Sequence, residues 1–168
     1  MILATSVGAV DLPLGQALPP LKGEYLTGRK AILPEASSGR VALLALGFTY
    51  KSRYAVEAWG KWFDENYGKD ARVTFYEIPM IGGLATLGKW FIDSGMRRGT
   101  PKSAHEHVIT VYGGIGPWKE RLAYKDTDSA YLIVLDKQGI VRWRYSGAFD
   151  GATSKKLSAQ MDALLANP

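Results

Sequence analysis

"VALLALGFTYKSRY", residues 41–54, decides how this chain folds. Val41 to Phe48 is an unbroken apolar run of strand length, the pattern of a central strand covered on both faces. From Ser52 to about Tyr67, the apolar Val56, Trp59, Trp62, Phe63 and Tyr67 recur at three- and four-residue spacing, with Glu57, Lys61 and Asp64 between them. The strand therefore leads through a short turn into an amphipathic helix, which Gly68 closes. The turn puts Lys51 and Arg53 beside Tyr50 and Tyr54 at a helix N-terminus, where backbone N–H groups and the helix dipole favour anions. Such a turn can hold a carboxylate of a client chain against tyrosine surface, and it also reads as a solvated surface turn. Tyr50, Lys51, Ser52, Arg53 and Tyr54 form the candidate partner-binding set.

The elements on either side alternate. "ARVTFYEIPM" (Ala71–Met80) is rich in β-formers and reads as a second strand. A second helical pattern runs through Leu84, Leu87, Trp90 and Phe91 and ends at Arg97, Arg98 and Gly99. "HVITVYGG" reads as a third strand, and "GPWKERLAY" as a short helix opened by Pro117. "AYLIVLDKQGIVRWRYSG" reads as two strands around a turn at Lys137, Gln138 and Gly139, and "ATSKKLSAQMDALLA" as a closing helix. Alternation followed by a hairpin predicts an α/β fold, a mixed central sheet with helices on both faces. Residues 1–40, punctuated by Pro13, Pro19, Pro20 and Pro34, read as an extended lead-in with a short hairpin, and residues 41–168 as the main domain.

At 168 residues, 46% apolar and 22% charged, the chain has the size and composition of one globular domain. Its net charge of +5 biases it toward acidic partners. The basic residues are dispersed in small clusters, so no nucleic-acid partner is expected. No apolar stretch reaches the length of a membrane span, although peripheral membrane contact is compatible with the charge. The opening residues have no cation before Lys22, so they lack the charged region of a signal peptide; they are read as the mature end of a processed protein.

The absence of cysteine excludes disulfides, thiolate nucleophiles and cysteine metal sites. His105 and His107, two apart, would share a face if they lay on a strand, but a metal needs a third ligand and none is placed, so no metal is expected. "GGLATLG" and "YGGIGP" have neither the P-loop nor the dinucleotide spacing, and no G-x-S-x-G occurs, so no cofactor and no catalytic residues are assigned. Arg97 and Arg98 suit helix-end charges or an anion contact. Arg142 and Arg144 alternate with Trp143 and Tyr145, and as a pair they could offer a planar handle to a carboxylate or phosphate.

The order of elements, with the final hairpin and helix, resembles the thioredoxin fold. "VALLALGFTYKSRYAVEAW" resembles the strand, active turn and helix of the TlpA and peroxiredoxin-like branch, and "AYLIVLDKQGIVRWRYSG" its closing hairpin. Laid on that branch's W-C-x-x-C turn, Tyr50 falls at the tryptophan and Lys51 and Tyr54 at the cysteines, while the peroxiredoxin register puts Ser52 at the reactive cysteine. The position of the family's cis-proline falls near Ala130, so that landmark is absent.

Residues 18–165 also resemble the mitochondrial F-type ATP synthase assembly-factor family called Atp-ten and its bacterial relatives. The matches are Trp59 and Phe63 in the helix, Met96 and Arg97 before Pro101, and Val141, Arg142 and Trp143 in the last strand. The resemblance implies a redox-inactive assembly factor or chaperone-like module whose partner is a protein client, such as a membrane-complex subunit. It further implies a periplasmic location in a bacterium, or one at the mitochondrial inner membrane in a eukaryote. The second reading is a peroxiredoxin- or TlpA-like thiol oxidoreductase whose cysteines are absent from this chain.

Overall fold

The computed structural model describes residues 11–167. The first part of the lead-in, and with it the reading of the start as a processed end, lies outside the described residues. Strand β3 (Val41–Gly47) lies in the interior of the sheet, and its alternation between two cores explains the unbroken apolar run. Val41, Leu43 and Ala45 face one core, shared with helices α1 (Arg53–Tyr67) and α4 (Gly151–Ala166). Ala42, Leu44 and Leu46 face a second core on the other side, closed by Trp118 of the short helix α3 (Gly116–Arg121). Both faces of β3 are dry, so no polar residue alternates into it.

Strand β4 (Val73–Ile81) lies parallel to β3, and β5 (Ile109–Tyr112) parallel to β4. On the other side of β3, β6 (Ala130–Leu135) and β7 (Val141–Gly147) form the antiparallel hairpin. A hairpin of β1 (Leu21–Tyr25) and β2 (Lys30–Leu33) adds to β5 through β1, giving the sheet order β2-β1-β5-β4-β3-β6-β7. The architecture is the mixed sheet with helices on both faces that the element order predicts.

Local chemistry fixes the main junctions. Trp59 of α1 is fully buried and meets Trp62, Tyr145 and Phe149 edge-on at centroid distances of 5.9, 5.8 and 4.9 Å, joining helix, hairpin and the start of α4. In the β6–β7 turn, the Asp136 carboxylate accepts from the Gln138 and Ile140 N–H groups at 2.9 and 3.0 Å. Gly139 there has φ +80°, and a Cβ would lie 2.6 Å from Pro34, so only glycine fits.

Two expectations differ. Strand β5 begins at Ile109, so His105 and His107 lie in the turn ahead of it rather than on one strand face. They make separate bonds, His105 Nε2 donating to the Thr100 carbonyl at 2.9 Å and His107 Nδ1 to the Phe75 carbonyl at 3.1 Å. Helix α2 (Lys89–Gly99), entered through a 3-10 turn at Gly83–Gly88, fully buries only Asp93; Trp90 and Phe91 point outward, and Ile92 and Met96 are half-buried.

Candidate functional site

The turn between β3 and α1 is built on two hydroxyl residues. Ser52 Oγ accepts from the Thr49 N–H at 3.2 Å and donates to the Thr49 carbonyl at 2.8 Å. Thr49 Oγ1 in turn accepts from the Ser52 N–H at 3.1 Å and donates to the Thr127 carbonyl at 2.6 Å, tying the turn to the loop that enters β6. Ser52 is therefore wholly buried, at 0% exposure, at the N-cap of α1. Gly47 makes room for it, since a Cβ there would lie 2.7 Å from Ser52 Oγ. This corrects the place of Ser52 in the candidate set: it holds the turn and has no surface for a partner.

The other four members face outward. Tyr50, Lys51, Arg53 and Tyr54 are all exposed. The Arg53 guanidinium lies 4.2 Å from the Tyr50 ring centroid and 4.6 Å from that of Tyr54, and its Nη2 donates to the Tyr54 hydroxyl at 3.0 Å. The two rings splint the long side chain, so a cation and two aromatic surfaces are presented as one preformed unit beside Lys51.

The distant arginines do not gather there. Arg97 Nη1 reaches the Leu26 carbonyl at 3.3 Å, while Arg98 is exposed. A bulge between Val134 and Leu135 separates Arg142 from the alternation of β7. Arg142 Nε bonds Asp136 at 2.7 Å, whereas Arg144 bonds Asp11 at 3.1 Å and the Arg121 carbonyl at 3.2 Å. Each is already paired with its own carboxylate, so the expected joint handle for an anion is not formed. Burial works to raise the Asp136 pKa, but the Ile140 N–H, the Arg142 guanidinium and the Gln138 N–H outweigh it and hold the carboxyl below its ordinary value. Trp143 and Tyr145 pack against the α1 core, as the alternation predicts.

One feature was not singled out in the sequence. Glu77, the lone acid of β4, lies under α1, its Oε1 3.4 Å from where a Cβ of Gly60 would be. It lines a cleft of about 560 Å³ between α1 and residues 99–108, together with Glu57, Lys61, Asp64 and His107. Burial, reinforced by Glu57 and Asp64, pushes its pKa up to about 7. The signal available in the sequence was a single glutamate inside "VTFYEIPM" and a glycine amid the bulky "AWGKWF". Among the described residues, no group of three or more His, Cys, Asp or Glu side chains could hold a metal ion.

No family model matches the chain, and no curated protein matches its sequence. Solved structures do match its fold. A candidate protein disulfide isomerase of Bacteroides thetaiotaomicron superposes with a TM-score of 0.65 at 12% identity, over 93% of this chain and 92% of that one. BsSco, a member of the Sco family of cytochrome c oxidase assembly proteins, gives 0.62 at 13% identity, over 92% and 97%. The exposed lipoprotein thioredoxin Etrx1 of Streptococcus pneumoniae gives 0.56 at 13% identity, over 86% and 99%.

The chain has the thioredoxin-like fold, shared with thiol-disulfide oxidoreductases. It contains no cysteine, so the turn after β3 has no thiolate with which to attack a disulfide. Among the described residues, no helix is long and apolar enough to cross a membrane.

Proposed function

We propose that this is a redox-inactive thioredoxin-fold protein that binds other proteins, an assembly factor or chaperone-like module for a membrane complex of the ATP synthase kind. The observation that carries the reading is the turn at residues 48–54. It keeps the position from which thioredoxin-fold oxidoreductases act, and there it presents the Tyr50–Arg53–Tyr54 stack and Lys51 in place of a thiol. A cation splinted between aromatic rings at a helix N-terminus suits an acidic segment of a client, which would meet charge and apolar area together. The fold is shared with BsSco, whose family assembles cytochrome c oxidase, so an assembly role on this scaffold has a precedent. The matches of Trp59, Phe63, Arg97, Arg142 and Trp143 to the ATP synthase assembly-factor family support the choice of client. In this reading the protein works against a membrane, in a bacterial periplasm or at the mitochondrial inner membrane.

The test is a cross-linked pull-down from native membranes with the tagged chain beside its Lys51→Glu, Arg53→Glu variant. Capture of membrane-sector subunits by the native chain alone supports the reading. Equal capture by both removes the turn from the account, and capture of neither removes the client.

A further inference from the structure

Helix α2 is built inside out. Lys89 and Asp93, one turn apart, face the sheet, where Lys89 Nζ bonds Asp93 Oδ2 and Glu24 Oε2, each at 2.7 Å. The Tyr112 hydroxyl donates to Asp93 Oδ1 at 2.6 Å, and Arg97 on the next turn reaches the Leu26 carbonyl. With Lys89, Asp93 and Arg97 turned to the protein, the segment leaves Leu84, Leu87, Trp90 and Phe91 at 86, 85, 77 and 70% exposure, while Ile92 and Met96 are half-buried. Ordinary amphipathic helices do the reverse, and a folded chain that holds four large apolar side chains in water by an ion-paired network has a use for them.

The charge of the segment selects the occupant. Between Gly82 and Lys102 the cations are Lys89, Arg97, Arg98 and Lys102, and Asp93, the one acid, is buried in the network. Arg98 is exposed and stands seven residues from Phe91 and eight from Trp90, which returns it to their side of the helix. A second copy meeting this face about a two-fold axis would set Arg98 and its neighbours against their own like charges. An anionic lipid surface accepts all of it, tryptophan and phenylalanine at the headgroup level, leucines just below, and arginine on the phosphates.

We infer that the segment from Leu84 to Arg98 is a membrane-docking element, which lays its apolar face into an anionic bilayer surface and carries the domain as a peripheral protein. The contact is interfacial, because α2 has 11 residues and a bilayer crossing needs about 20. The inference stands independently of the client proposed above, since lipid vesicles contain no protein to capture.

The experiment is co-sedimentation of the full chain with vesicles of phosphatidylcholine and phosphatidylglycerol, beside vesicles of phosphatidylcholine alone. The native chain binds the mixed vesicles in preference, and the Leu87→Ser, Phe91→Ser double variant binds them at least about tenfold more weakly. Arg98→Glu and added salt each weaken binding severalfold. Trp90→Phe keeps binding but loses the fluorescence quenching that brominated lipid produces in the native chain, which places the ring in the bilayer. All these side chains are exposed, so circular dichroism and thermal unfolding stay unchanged. No binding by the native chain, equal binding to both vesicle types, or equal binding by the double variant overturns the proposal. If the native chain ignores vesicles while the double variant loses client cross-links, the face belongs to a protein instead.

Discussion

Thr49 and Ser52 hold each other by three hydrogen bonds, each hydroxyl accepting the other's N–H and Ser52 also donating to the Thr49 carbonyl. The place at which a peroxiredoxin register would put a reactive cysteine is thereby a structural joint. Ser52→Ala leaves the Thr49 N–H and carbonyl without that partner, and is expected to destabilise the fold by about 1–3 kcal/mol in urea unfolding. Lys51→Ala, on the exposed side of the same turn, is expected to change stability by less than about 0.5 kcal/mol. Equal effects would show that the buried hydroxyl does not hold the turn.

Glu77 makes stability depend on pH near neutrality. Its folded pKa of about 7 lies above that of an unfolded glutamate, so the folded chain binds the proton more tightly. Its contribution is full below about pH 4 and is lost as pH rises through about 7. Glu57 and Asp64 oppose its ionisation, while Lys61 and His107 also line the cleft. Glu77→Gln is expected to flatten this dependence and to raise stability at about pH 8 by on the order of 1–3 kcal/mol. Unfolding curves at about pH 5.5 and about pH 8 that show the same slope for native and variant would remove Glu77 as the source.

Asp136 acts in the opposite sense. Its folded pKa is depressed, so its contribution is present above the unfolded value of about 3.9 and disappears as pH falls through the folded pKa. Asp136→Asn is expected to lower stability at neutral pH and to lessen the loss of stability on acidification. Acid titration of native and variant, followed by circular dichroism, distinguishes this from a neutral turn residue.

Gly139 combines a left-handed backbone with a contact that no side chain can share, Pro34 lying 2.6 Å from the place of a Cβ. Gly139→Ala is expected to cost more than about 1–2 kcal/mol, the backbone term alone. A melting temperature equal to that of the native chain would mean that neither the left-handed backbone nor Pro34 resists the added methyl.

The strands and helices were legible because periodicity is local. Val41–Phe48 announced β3, the spacing from Val56 to Tyr67 announced α1, and the turn at Lys137, Gln138 and Gly139 announced the last hairpin. What escaped depends on partners far along the chain. Lys89 finds Glu24 across 65 positions, which turns α2 over and exposes Trp90 and Phe91. Arg144 finds Asp11 across 133 positions, so its charge is already occupied. The buried state of Ser52 also exceeded local pattern, since it depends on Gly47 leaving a gap beneath it. Charge and hydrophobicity along the sequence state what a side chain can do, and the tertiary neighbours decide what it is left free to do.

The two borders of the sheet limit how any client can be gripped. Strand β2, at one border, is only four residues long and is followed by Pro34, which has no N–H to offer. At the other border β7 carries a bulge at Arg142, and Gly15 and Gln16 already exchange backbone bonds of 2.8 Å with Val141. Among the described residues a client strand would therefore find only short stretches of ladder to extend, which also limits stacking of the protein edge to edge with itself. On the proposed function, recognition would be left to side chains, so a client would be read by its charge and shape and could be released without unzipping a sheet.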